Sequence, residues 1–177
     1  MIRICTLAVL FFGLSACGDS EPERPAGPVS LVAHDSWSLS AAGDDPFSAT
    51  RDDYIPCDQT SVAREDIAGF DSVEVKTSPC NYITIQQPMR ADLRTGDRVD
   101  LRIWHFFLDE LPDAEAYVAL QAGQQLLWEK YIPLPTDSGI HTDTITVEAD
   151  VAIDAPVYFH IRNHGRNSWH LLEVDRL

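Results

Sequence analysis

The chain has 177 residues, with 28 acidic side chains against 13 basic ones and a formal charge of −15. So acidic a surface excludes nucleic acid and anionic lipid headgroups as natural partners, which need cations to neutralise their phosphates. Hydrophobic residues make up 45%, enough for a core, and the length suits one domain.

The chain opens with Met1-Ile2-Arg3, an apolar run through Leu14, and then Ser15-Ala16-Cys17. One cation, a short apolar core and small residues at a cut site make a secretory signal spanning residues 1–16. The run is about 11 residues, against roughly 20 for a membrane-crossing helix. No later stretch comes near that length, so no transmembrane helix is expected. Leu14-Ser15-Ala16-Cys17 resembles the lipobox of bacterial lipoproteins. The resemblance implies cleavage before Cys17, a diacylglyceryl thioether on its sulfur and a further acyl chain, such as palmitate, on the new amino group. Several chains matter, because one gives only marginal, reversible membrane binding. Gly18, where inner-membrane lipoproteins of enteric bacteria carry aspartate, favours an outer-membrane anchor, on its periplasmic or surface face.

Residues 17–30 carry the lipid and then three prolines and a glycine within SEPERPAGPVS. Such a composition reads as an extended tether, and the folded domain is expected over 31–177. Loss of residues 1–17 removes Arg3 and no acid, leaving 12 cations against 28 carboxylates. The acids crowd at Asp44-Asp45, Asp52-Asp53, Asp109-Glu110 and Asp113/Glu115. None of these stretches matches a Ca²⁺ loop. A structural Ca²⁺ is thus without support, and no cofactor is expected. Cys5 leaves with the signal and Cys17 takes lipid, so Cys57 and Cys80 remain in a chain bound for an oxidising compartment. They are expected to form a disulfide.

Short apolar runs separated by turn residues predict strands at 36–39, 72–77, 82–86, 98–107, 116–121, 125–131, 142–148, 157–163 and 169–174. Ala122-Gly123 marks a hairpin, and one helical turn is expected near 60–67. About eight strands at this spacing predict an all-β antiparallel sandwich. Tyr82-Ile83-Thr84-Ile85-Gln86-Gln87-Pro88, the Gly96-Asp97 turn and the closing strand from Trp169 resemble the jelly-roll sandwiches of the galactose-binding-like superfamily, which includes many carbohydrate-binding modules. This resemblance covers about 72–177 and implies a fold and a noncovalent sugar-binding role. The segment from His160 to Trp169 is also similar to one in bacterial lipoproteins without assigned activity.

Strand alternation supplies the candidate site. Val99, Leu101 and Ile103 share one face, opposite Asp100, Arg102 and Trp104; Val157, Phe159 and Ile161 share another, opposite Tyr158, His160 and Arg162. If the two strands are neighbours, Trp104, Tyr158, His160, Arg162 and Arg102 form one outward platform. Aromatic rings stack on sugar faces and nearby polar groups bind the hydroxyls. The bland alternative is that Trp104 and Tyr158 form a second small core under a loop. His105 falls among the inward residues, so it is either a core histidine with a backbone partner or a sign of a bulge.

His160, His164 and His170 invite a metal reading, but a fully extended chain would hold His160 and His164 about 13 Å apart, too far to share one ion. Turn chemistry in Asn163-His164-Gly165 and Arg166-Asn167-Ser168 leaves open that His164 curls back, the alternative being that His164 and Asn163 hydrogen-bond the turn. No metal is expected. Trp169 is expected to anchor the last strand in the core. Catalysis finds little support: there is no G-x-S-x-G elbow, no H-E-x-x-H and no glycine-rich phosphate loop. Three readings stay open at this point. The first is a lipid-anchored sandwich binding a carbohydrate. The second is an assembly lipoprotein contacting envelope proteins. The third is a metal-dependent hydrolase using His160, His164 and an acid.

Overall fold

The computed structural model describes residues 24–78, 80–109, 114–163, 165 and 167–177. The lipobox Leu14–Cys17 and His164 lie outside the described residues. In chain order the strands are β1 (Val29–Ser30), β2 (Ser38–Leu39), β3 (Val62–Ile67), β4 (Phe70–Lys76), β5 (Tyr82–Pro88) and β6 (Arg98–His105). They continue with β7 (Glu115–Ala122), β8 (Gln125–Pro133), β9 (Gly139–Thr146), β10 (Pro156–Arg162) and β11 (Ser168–Arg176). All pair antiparallel in two sheets, with orders β3-β4-β11-β6-β9 and β2-β5-β10-β7-β8; β1 joins the first sheet along β11. The fold is the expected all-β sandwich.

Period-two alternation builds the core between the sheets. Val99, Leu101 and Ile103 of β6 meet Trp169, Leu171 and Val174 of β11 on one side. Ile83 and Ile85 of β5, Val157, Phe159 and Ile161 of β10, and Val118 and Leu120 of β7 supply the other. Trp169 is fully buried, its indole N–H donating to Asn163 Oδ1 at 3.4 Å. His105 is the core histidine: it is buried, donates from Nδ1 to the Phe106 carbonyl at 2.7 Å and packs 5.1 Å from the Trp169 ring. The β7–β8 hairpin turns at Gly123, whose φ of +55° lies in the left-handed region that glycine adopts at no steric cost.

Two expectations about local structure change. Residues 62–67 are β3, not a helical turn; the 3₁₀ turn is confined to Gln59–Ser61, capped by the Asp58 carboxylate on the Thr60 N–H. The hairpin at Ala68-Gly69, with φ of +54° and +85°, lets Val62 to Ile67 pair with β4, and a full ladder outweighs weak helical propensity. Ordered contacts also begin ahead of Leu31. Val29 and Ser30 pair with Arg176 and Asp175, and Arg24 grips Asp97 at 2.8 and 3.1 Å. Backbone pairing needs no apolar side chain, so composition did not show it.

Cys57 and Cys80 form the disulfide, with Cα atoms 5.0 Å apart. It ties the segment ahead of β3 to the start of β5, and closing such a loop is worth roughly 3 kcal/mol in the chain-entropy model.

Candidate binding face

The five predicted platform residues do not share a face. β6 lies between β11 and β9 in one sheet, and β10 lies between β5 and β7 in the other. Trp104 and Arg102 therefore point out of one side of the sandwich, and Tyr158, His160 and Arg162 out of the opposite side. Alternation says which side of a strand is polar. It does not say which sheet the strand joins.

On the first face several polar groups pair with one another, although the buried His170 Nε2 makes no hydrogen bond among the described residues. Arg102 pairs with Glu173 at 3.1 Å and covers the Phe70 ring at 5.8 Å. The Trp104 ring packs 4.3 Å from Phe106 and 5.1 Å from His170. Beneath them His170 Nδ1 lies 3.3 Å from Ser72 Oγ, and His170 Nε2 lies 3.9 Å from Glu74. Glu74 accepts from Ser168 at 2.6 Å and faces Lys76 at 2.7 Å. Burial raises its pKa, but the hydrogen bonds from Lys76 and Ser168 outweigh that and hold the carboxyl below its ordinary value. Serine, histidine and acid together suggest a nucleophile, yet Ser72 is fully buried and its hydroxyl donates to the Glu65 carbonyl, so no substrate reaches it. Phe106, Phe107 and Ile140 stay about half exposed nearby.

The second face is aromatic and arranged in rows across the strands. Tyr82, Arg162, Tyr117 and Tyr131 stand side by side on β5, β10, β7 and β8. The next row is Thr84, His160, Ala119 and Glu129, and beyond it Gln86, Tyr158 and Gln121. A strap preceding β3 crosses part of this surface. Its Phe47 lies flat on His160, with centroids 4.3 Å and planes 13° apart. The strap is pinned from below: the buried Asp45 carboxylate accepts from the Tyr82 hydroxyl at 2.7 Å and the Phe47 N–H at 2.9 Å, and faces Arg51 at 3.3 Å. Burial pushes the His160 pKa down to about 3, and Nδ1 sits 2.8 Å from Thr84 Oγ1. Burial and the Asp45 hydrogen bond raise the Tyr82 phenol.

Beyond the strap the row is open. Tyr131 is 54% exposed and its ring lies 4.8 Å from that of Tyr117. The Tyr117 hydroxyl donates to Glu129 at 2.8 Å; burial and this bond raise its pKa. The Arg162 guanidinium lies 5.3 Å from the Tyr54 ring centre and 5.1 Å from that of Tyr117.

No family model matches the chain, and no curated protein is similar to it. Solved structures are similar in shape. An arabinose-bound α-L-arabinofuranosidase aligns with TM-score 0.50 and 9% identity over 84% of this chain, which spans only 24% of that protein. A mannan-recognising carbohydrate-binding module aligns at 0.47 and 8% identity, covering 86% of this chain and 95% of the module. The K3 adhesin domain of Lys-gingipain from Porphyromonas gingivalis aligns at 0.44 and 16%, covering 83% and 93%. What the chain shares with the first of these is the sandwich.

Sequence reasoning missed the tyrosines that complete the row. Tyr82 alternates out of phase with Ile83 and Ile85, and Tyr117 with Val118, so both were visible as outward aromatics. Strand neighbourhood, which joins them to Arg162, was not. Phe47 and Asp45 carried no periodic signal at all. Among the described residues no three His, Cys, Asp or Glu converge as metal ligands, and His160 lies beneath Phe47 rather than facing an open site.

Proposed function

We propose that this is a lipid-anchored protein of the cell envelope whose sandwich binds a carbohydrate on the face formed by β5, β10, β7 and β8. The observation that carries the site is the open end of the tyrosine row, where Tyr131 stands beside Tyr117, Arg162 lies on the far side of Tyr117, and Glu129 accepts from the Tyr117 hydroxyl. A flat exposed ring offers stacking for the apolar face of a pyranose. The Glu129 carboxylate and the Arg162 guanidinium on the same face offer acceptors and donors for the hydroxyls. Burial of Tyr117 and partial burial of Arg162 fix them beforehand, so little rotamer freedom is lost on binding.

Two experiments test the reading. In a glycan array with the full-length protein, Tyr131→Ala removes the hits, whereas Trp104→Ala on the opposite face leaves them in place. The reverse pattern moves the site to the other sheet. For the anchor, the sequence Leu14-Ser15-Ala16-Cys17 is the support. Labelled palmitate is expected to follow the protein into the membrane fraction, and Cys17→Ser to abolish both label and anchoring.

A second reading has its own observation. Phe106, Phe107 and Ile140, 47%, 51% and 58% exposed, surround Trp104 and form an apolar patch suited to an envelope protein partner. A blank array together with a Trp104-dependent protein complex favours it.

A further inference from the structure

We infer that Arg162 reads a carboxylate, so that the ligand is a largely neutral oligosaccharide carrying an isolated uronic acid. This rests on the tyrosine row being the sugar site. Acids outnumber bases in this chain by 28 to 13, and most arginines find one. Arg24, Arg51, Arg64, Arg94, Arg102 and Arg176 each face a carboxylate within 3.5 Å. Arg162 does not. Among the described residues its guanidinium makes no hydrogen bond or ion pair, and its partners are the Tyr54 and Tyr117 rings.

Among the described residues, two acids of this face are engaged. Asp45 holds Tyr82, Phe47 and Arg51, and Glu129 holds the Tyr117 hydroxyl. Rings beside the guanidinium fix its position without consuming any of its N–H donors, and the group is half-buried, not free in solvent. The result is a positioned, planar pair of donors with no acceptor among the described residues. That geometry matches a carboxylate in bidentate fashion better than it matches single hydroxyls. Tyr131, one strand beyond Tyr117, supplies the ring on which the same sugar or its neighbour stacks.

The net charge sets the density of acid the ligand can carry. At physiological ionic strength fields fade over about 8 Å, so one carboxylate at Arg162 is governed by that guanidinium. A polyuronate would extend across a surface of charge −15 and be repelled. One acid on a neutral chain fits.

The test is an array of uronic-acid-bearing oligosaccharides, each printed beside its methyl ester, read with the full-length protein and followed by titration of the best pair. The free acid is expected to bind about tenfold or more tighter than the ester, the scale of a charged hydrogen bond. Arg162→Gln should bring acid and ester level by weakening the acid at least tenfold more than the ester, with thermal stability in place. Arg162→Lys, which keeps charge but loses the planar fork, should fall between. Equal binding of acid and ester by the unaltered protein overturns the assignment while leaving the sugar site standing, as does an Arg162→Gln variant that weakens both alike. An array blank for both forms sinks the sugar site itself, and this inference with it.

Discussion

The two outer faces of the sandwich start from the same local pattern and end differently. β6 presents Arg102 and Trp104, and β10 presents Tyr158, His160 and Arg162, each opposite three apolar core residues. On the β6 side, neighbours neutralise what alternation exposes: Glu173 takes Arg102, and Glu74 sits close to His170 with Ser168 and Lys76 bonded to it. On the β10 side, neighbours are tyrosines and a strap. Arg162 keeps its donors, and His160 is sealed beneath a phenyl ring. An aromatic and a basic residue on one strand face are therefore not yet a site. What stands on the adjoining strands decides whether they are consumed or left available.

The comparison is broken most forcefully at Asp45. Asp45→Ala leaves the Tyr82 hydroxyl and Arg51 without their shared acceptor. A loss of about 2 kcal/mol is expected in urea denaturation, with new proteolytic cuts within residues 46–53 while the first sheet stays protected. A strap that remains resistant would mean that Phe47 stacking alone holds it.

Acid sharpens the difference between the histidines. His160 has its pKa lowered to about 3 in the folded protein by burial, against an ordinary value of 6.5. In this window the unfolded chain takes up a proton that the folded one refuses, so stability is lost as pH falls from 6.5 towards 3, by at most about 1.4 kcal/mol per pH unit for this group. Burial also lowers His170, but Glu74 at 3.9 Å partly compensates a charge there. His160→Gln is thus expected to flatten the acid limb of a melting profile more than His170→Gln does. Equal slopes in the two variants would show that the strap does not isolate His160. His141, held to about 4 by burial, adds to the same limb in both.

The smallest effect belongs to Arg102→Ala. Its pair with Glu173 is about one-third exposed on both sides, and such pairs contribute about 0.5 kcal/mol. Glycan binding should not change, whereas any loss would tie the β6 face to the sugar site.

How much was legible follows from the range of each signal. Alternation in β5, β6 and β10, the Ala122-Gly123 turn and the inward phase of His105 were readable because each depends on residues a few positions apart. β1 and β3 were not, since backbone pairing with a distant strand outweighed weak local preferences. Within the candidate site, Arg162 and His160 were found, and Tyr82, Tyr117 and Tyr131 were left out although their outward phase stood in the sequence.

By itself the sequence determined the sandwich class, the cysteine pair available for a disulfide, and the inward and outward phase of the main strands. Tertiary structure alone decided that β6 and β10 belong to opposite sheets, that Asp45 pins a strap over His160, and that Arg162 stands between tyrosines instead of carboxylates. The reason is physical. A side chain's phase is set by its own backbone, whereas its partners are set by strand pairings between residues dozens of positions apart, and those are selected by how the whole core closes.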